Sequence, residues 1–305
     1  MRHDQNGCQI VSAKKASEIS QLVGGLLIGP DIEINGVCSI LNPQNGKIGF
    51  VTRLTSDVEA ALHYKSVLLV ESAIPGATTA SQIVVQNPRL AFAFVSELFD
   101  VAPIAFGVHS SSIIHPTAIV DEEAIIGPFC VIDEGVTICS GAIIENNVTL
   151  KKNTYVGQNT RIRSNSVIGG PGFGYEFDSE GKPVHIRHFG RVYIGSNVEI
   201  GSCVVIARAT IDQTSIGDDV KIDDHVFIAH NVQIGNRTVV IAGTEISGSV
   251  QIGEDCWISP QVTIINGVTI GNRALIGIGA VVTKNVPAEK VVAGNPARVL
   301  RDRLT

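Results

Sequence analysis

The chain has 305 residues, 44% hydrophobic but only 5% aromatic, with 31 glycines and a formal net charge of −6. It carries no basic run of the kind that marks a nucleic-acid binder, no basic-plus-apolar leader at its N-terminus, and no apolar stretch as long as a membrane span. Binding to nucleic acid and insertion into a membrane are therefore not expected, and a cytoplasmic protein is.

Residues 1–110 read as a small α/β domain. Ser17–Gln21 and Leu90–Phe99 predict helices, and Val67–Val70 and Gln82–Val85 predict strands. Turn signals stand at Asn42-Pro43, Pro75-Gly76 and Asn87-Pro88. From Ile114 a different rule takes over. An aliphatic residue fills every sixth position from Ile114 through Ile168, again at Ile194, Ile200 and Ile206, and again from Ile216 through Val282. Four residues after these slots comes a small or β-branched residue, as at Ala118, Ala124, Cys130, Val136 and Ala142, with Gly, Asp and Asn common in between. A period of six suits neither an amphipathic helix nor a flat half-buried strand. It is the hexapeptide repeat of a parallel β-helix, in which three hexads make one triangular coil. The repeat predicts coils over residues 111–287, followed by a C-terminal tail, 288–305. Narrow coils packed with Ile and Val also account for the low aromatic content.

The repeat breaks twice. Residues 169–193 leave it with Gly-Gly-Pro-Gly-Phe-Gly-Tyr175 and return through His185-Ile-Arg-His188-Phe-Gly-Arg191; an excursion of this length points to function. No Gly-Lys-Ser/Thr follows the glycines, so a phosphate-cradling P-loop is not indicated. The second break, 207–215, inserts four residues. Six cysteines show no metal-ligand spacing, and Cys130 and Cys256 occupy the small slot of their hexads, so a disulfide framework is not expected.

His230, in Ile228-Ala-His-Asn-Val232, falls on an outward turn and is the natural candidate for a general base. Asp223, seven residues earlier, is a candidate to orient the imidazole across a corner; its alternative role is turn chemistry. His225 and His230 together raise a zinc reading of the carbonic anhydrase type, which lacks an evident third ligand beyond His188. A non-catalytic trimeric scaffold is a further alternative.

Taken together, Ile48-Gly-Phe50, Asn87-Pro88, His115-Pro-Thr-Ala, the Gly169–Tyr175 loop, Thr210-Ile-Asp212, Ile228–Gly235 and Ser247-Gly-Ser249 resemble the UDP-3-O-acylglucosamine N-acyltransferase family of lipid A synthesis. The resemblance implies a mainly β fold: a left-handed parallel β-helix with a small N-terminal domain, assembled as a homotrimer with active sites between subunits. It implies His230 as catalytic base, Asp223 as its carboxylate partner and the Gly248 N–H as oxyanion donor. Phe50 is implied to stack on the nucleotide base, with Gly172, Phe173, Gly174 and Tyr175 also on the substrate side. The co-substrate would be acyl carrier protein or acyl coenzyme A, its phosphates met by Lys284, Lys290 and Arg298; no metal is called for. Two departures stand out: no histidine follows His230, whereas the family carries one near the position of Ile265–Val268, and Arg53 stands where the family has an asparagine. The endings Gly277–Lys284 and Ala293–Arg298 are similar to those of coenzyme A-dependent sugar acetyltransferases. A coenzyme A-dependent enzyme acting on another nucleotide-linked amino sugar is therefore the rival reading.

Overall fold

The structure is a computed structural model that describes residues 13–53, 56–75, 79–99 and 107–303. It divides into two compact units, Met1–Ile104 and Ala105–Thr305.

The N-terminal unit is built on a four-stranded sheet in the order Leu26–Ile28, Ser81–Val84, Val67–Val70, Ile48–Phe50. The first pair is antiparallel and the other two are parallel. Alternation along Val67–Val70 sends Val67 and Leu69 into one apolar cluster, with Ile19 and Val95 of two helices. It sends Leu68 and Val70 into another, with Val58 and Ala61 of a third. That third helix, Ser56–Ala61, has no counterpart in the sequence reading, because six residues are too few to display a helical period. The helix expected at Leu90 starts earlier, at Pro88: Asn87 Oδ1 accepts from the Leu90 N–H at 3.0 Å, and Pro88 needs no donor in the first turn.

The second unit is a parallel β-solenoid of two-residue strands in three sheets. Away from the two breaks, register partners are 18 residues apart, as in Ile228–Ile246–Ile264–Val282, so each slot aliphatic stacks on its equivalents. The slots from Ile126 onward are buried in one continuous core, while Ile114 and Val120 are half-buried because their strands end their sheets. Corner residues such as Asn147, Asn153, Asn159 and Asn165 adopt positive φ, which is why the repeat keeps returning to asparagine there.

Two corrections come from the solenoid's edges. The 169–193 excursion contains an antiparallel hairpin, Tyr175–Phe177 with Pro183–His185. Asp178 Oδ1 closes its turn by accepting from Glu180 N and Lys182 N, both at 2.9 Å. The segment read as a tail begins as a strand. Lys290–Ala293 adds in parallel to Leu275–Ile276, buries Val291 and Val292, and is covered by an antiparallel strand, Arg298–Asp302. No helix among the described residues is long and apolar enough to cross a membrane.

Candidate active site

His230 stands at a corner of the solenoid, two residues past the buried slot Ile228. The 18-residue register places Gly248, Asn266 and Lys284 above it on successive coils. The register across the second break places Arg208 below it, since Ile206 pairs with Ile228. With strands spaced about 4.8 Å apart, the ladder from His230 to Lys284 is about 14 Å long.

The His230 ring is oriented by its neighbour. Asn231 has φ 61°, the left-handed corner conformation, and its N–H donates to the buried Thr214 hydroxyl at 2.9 Å. Its Oδ1 accepts from the Thr210 N–H at 3.1 Å and the Thr210 hydroxyl at 3.2 Å, and lies 3.0 Å from His230 Nδ1. A backbone N–H can only donate, so the amide atom facing Thr210 is oxygen. His230 Nδ1 must then carry a proton, and in the neutral ring Nε2 is the nitrogen with the lone pair. The four-residue insertion at 207–215, without assigned purpose in the sequence, thus supplies the group that sets the tautomer. Sequence reasoning missed Asn231, although its place next to His230 was the available signal.

The Cε1–Nε2 edge of the His230 ring faces Gly248. A Cβ at Gly248 would lie 2.7–2.8 Å from Cε1 and Nε2 of His230 and 3.0 Å from Asn266 Oδ1, so only glycine leaves room. The coil-to-coil ladder here uses the Gly248 carbonyl, which accepts from Gly267 N–H at 3.0 Å, and the Ser249 N–H, given to His230 O at 2.9 Å; it does not use the Gly248 N–H.

From the excursion, His188 packs on His230 edge to face, ring centroids 5.2 Å apart. His185, Tyr175 and Phe173 follow in a chain of rings with centroid separations of 6.2, 5.0 and 4.9 Å. Gly172 and Gly174 lie against His188: a Cβ on Gly172 would stand 2.6 Å from its Nε2 and 2.9 Å from His230 Cβ, and one on Gly174 3.1 Å from its Cε1. Burial pushes the His188 pKa below its ordinary 6.5; His230, His185 and Arg208 act in the same direction, and the Ile186 backbone opposes them.

Asp223 is not beside His230 within the chain. It follows the strand Lys221–Ile222 of a different sheet, one corner earlier, and its carboxylate accepts from the N–H groups of Asp224 at 2.9 Å and Ala242 at 3.3 Å. His225 shares that earlier corner, so the two imidazoles of the zinc reading lie on different corners. Seven residues span one corner and one strand, which carries a residue away from its partner rather than towards it. Lys284, by contrast, shares the His230 corner. Lys290 is paired with Asp302 on the terminal hairpin, and Arg298, on the same hairpin, gives an Nη1 hydrogen to Ala297 O at 2.9 Å. In the N-terminal unit Phe50 packs against Phe92, centroids 4.7 Å apart, in a cleft of about 730 Å³ also lined by Ile40, Leu41, Arg53 and Asp57.

Residues 213–248 and 249–284 match the family model for bacterial transferase hexapeptide (six repeats). The UDP-3-O-acylglucosamine N-acyltransferase of Methylacidiphilum infernorum is 44% identical over 92% of this chain and 86% of its own length. The chain belongs to the UDP-3-O-acylglucosamine N-acyltransferase family. The family member from Pseudomonas fluorescens strain SBW25 is 39% identical over 77% of this chain and 72% of its own length. Among solved structures, the UDP-N-acetylglucosamine acyltransferase of Francisella novicida superposes with TM-score 0.59 at 29% identity, covering 64% of this chain and 70% of that one. LpxA from Acinetobacter baumannii gives TM-score 0.59 at 26% identity, over 64% and 74%. The fold is accordingly a left-handed parallel β-helix, and the protein an acyltransferase.

Proposed function

We propose that the chain transfers an acyl group from a phosphopantetheine thioester to the free amine of UDP-3-O-acylglucosamine, working as a homotrimer. The observation that carries this is the Thr210–Asn231–His230 chain, which in the neutral ring puts the proton on Nδ1 and leaves the Nε2 lone pair on the edge facing Gly248. The neutral sugar amine attacks the thioester carbonyl, forming the C–N bond, while Nε2 accepts the amine proton. The oxyanion that develops is held by the Gly248 N–H. Collapse breaks the C–S bond, and the departing thiolate takes the proton back from Nε2–H. General-base assistance contributes about 10²–10⁴-fold and an oxyanion donor about 10²–10³-fold. Neither a nucleophilic side chain nor an acyl-enzyme enters the sequence.

The donor arm is proposed to run up the corner past Gly248 and Asn266 to Lys284, where a phosphate meets the ammonium. Lys290, already paired with Asp302, is a weaker candidate for that contact, and Arg298 stands on the terminal hairpin. Phe50 and its cleft are proposed to take the uracil base, with Phe173 and Tyr175 on the sugar side. Trimer formation accounts for Phe173, Phe189 and Ile211, which a single chain leaves more than three-quarters exposed. It also preserves a role for Asp223, which can face a His230 only from a neighbouring copy.

The test is turnover of UDP-3-O-acylglucosamine with 3-hydroxyacyl carrier protein and, separately, with the coenzyme A thioester, products read by mass spectrometry. We expect N-acylation with the carrier protein. Turnover only with coenzyme A, and loss of it in Arg298→Ala, would select the donor suggested by the Ala293–Arg298 turn.

A further inference from the structure

The excursion buries almost nothing. Between residues 171 and 190 both hairpin strands are exposed apart from the half-buried His185, Phe173 is 86% exposed, and the buried positions are Gly172, Gly190 and His188. His188, 9% exposed, is thus the one side chain the excursion plants in the body of the unit, and it plants it on His230. Neither ring nitrogen makes a hydrogen bond of good geometry among the described residues, the Ile186 backbone being close enough only to favour the protonated ring. A neutral imidazole offers one donor and one acceptor, and buried groups of this kind are almost always paired. At both ends the excursion is tied by backbone bonds. Arg208 N–H donates to Gly170 O, and Phe189 and Gly190 N–H donate to Thr210 O and Ala209 O, at 2.8–3.1 Å. What lies between these ties has little packing to hold it.

We propose that the excursion 171–190 is a lid on the catalytic corner, latched by His188, and that the two ring nitrogens are completed by hydroxyl groups of the acceptor sugar when it binds. A sugar hydroxyl both donates and accepts, which matches one N–H and one lone pair on the same ring. Because both nitrogens are enclosed where the excursion is docked, the lid has to shift for them to reach the sugar. His188 is then an acceptor-binding residue, supplied by the excursion rather than by the repeat. The proposal rests on the acyl-transfer reading above.

Two measurements test it. In the wild-type protein, the acceptor nucleotide sugar alone should change amide hydrogen exchange across 171–190 by about fivefold or more and move the His188 Cε1 resonance, while the donor thioester alone should do neither. In kinetics, His188→Phe should raise the acceptor KM about tenfold or more, the effect of losing both hydrogen bonds to the sugar, with the donor KM within about twofold of wild type. Acceptor binding or turnover without any change in 171–190 overturns the lid and leaves the acyltransferase standing. So does an acceptor KM unmoved by His188→Phe. If that variant does not fold, the wild-type exchange and resonance data decide alone. Failure of the wild-type protein to bind the acceptor overturns the substrate reading and the lid's ligand with it.

Discussion

Asn231 Oδ1 sits 3.0 Å from His230 Nδ1 while accepting the Thr210 N–H at 3.1 Å, so an obligate backbone donor inside the solenoid's second break fixes which imidazole nitrogen is free. A histidine on a solenoid corner would otherwise divide between two tautomers, one of which turns an N–H toward the substrate. The asparagine does this from a corner position that the repeat needs in any case, since φ there is 61°.

Removing that amide should cost rate without costing the fold. Asn231→Gly keeps the left-handed conformation unstrained and deletes the acceptor. We expect kcat to fall by about 10–100-fold, a part of the general-base contribution, with the melting temperature nearly unchanged. A wild-type kcat in Asn231→Gly would show that the tautomer is set otherwise.

Gly248→Ala tests the space above Nε2. Its Cβ would stand 2.7 Å from His230 Cε1, well inside contact distance, while Gly248 itself has ordinary φ. The imidazole must swing away, so kcat should drop by about 10²-fold, approaching the loss in His230→Ala. Steady-state kinetics beside thermal melts of both variants separate this from unfolding.

The role proposed for Asp223 lies across a subunit boundary. Asp223→Asn and His230→Ala should each be nearly inactive, yet trimers assembled from equal amounts of the two should recover about a quarter of wild-type activity, because one interface in four then pairs an intact histidine with an intact aspartate. No recovery on mixing, with both variants still trimeric by sedimentation, would return Asp223 to turn chemistry.

The docked excursion should depend on pH through His188. Its pKa is depressed by burial first and by the His230, His185 and Arg208 charges after that. A group that binds its proton more weakly when docked favours docking above its ordinary 6.5 and withdraws that support as pH falls through the depressed value. Protection of the amides across 171–190, relative to their intrinsic exchange rates, should therefore be full above the ordinary 6.5 and decline as pH falls below it, and His188→Gln should flatten the dependence.

The hexad repeat made the solenoid legible. Ile126, Ile222 and Ile258 could be placed inside by counting sixes, and the structure buries all three. His230 was legible as well, as a histidine two residues past a slot. Contacts made between coils were not. Asp223 reads as near to His230 in sequence and stands a corner away, whereas Thr210, 20 residues before the histidine, and His188, 42 before it, are brought against Asn231 and His230. The sequence by itself determined the period, hence the coil, the core and the outward direction of each turn, because those follow from local alternation of buried and exposed positions. Only the tertiary structure decided the tautomer of His230 and its imidazole neighbour. Both depend on insertions that leave the repeat and return at a register no local pattern encodes.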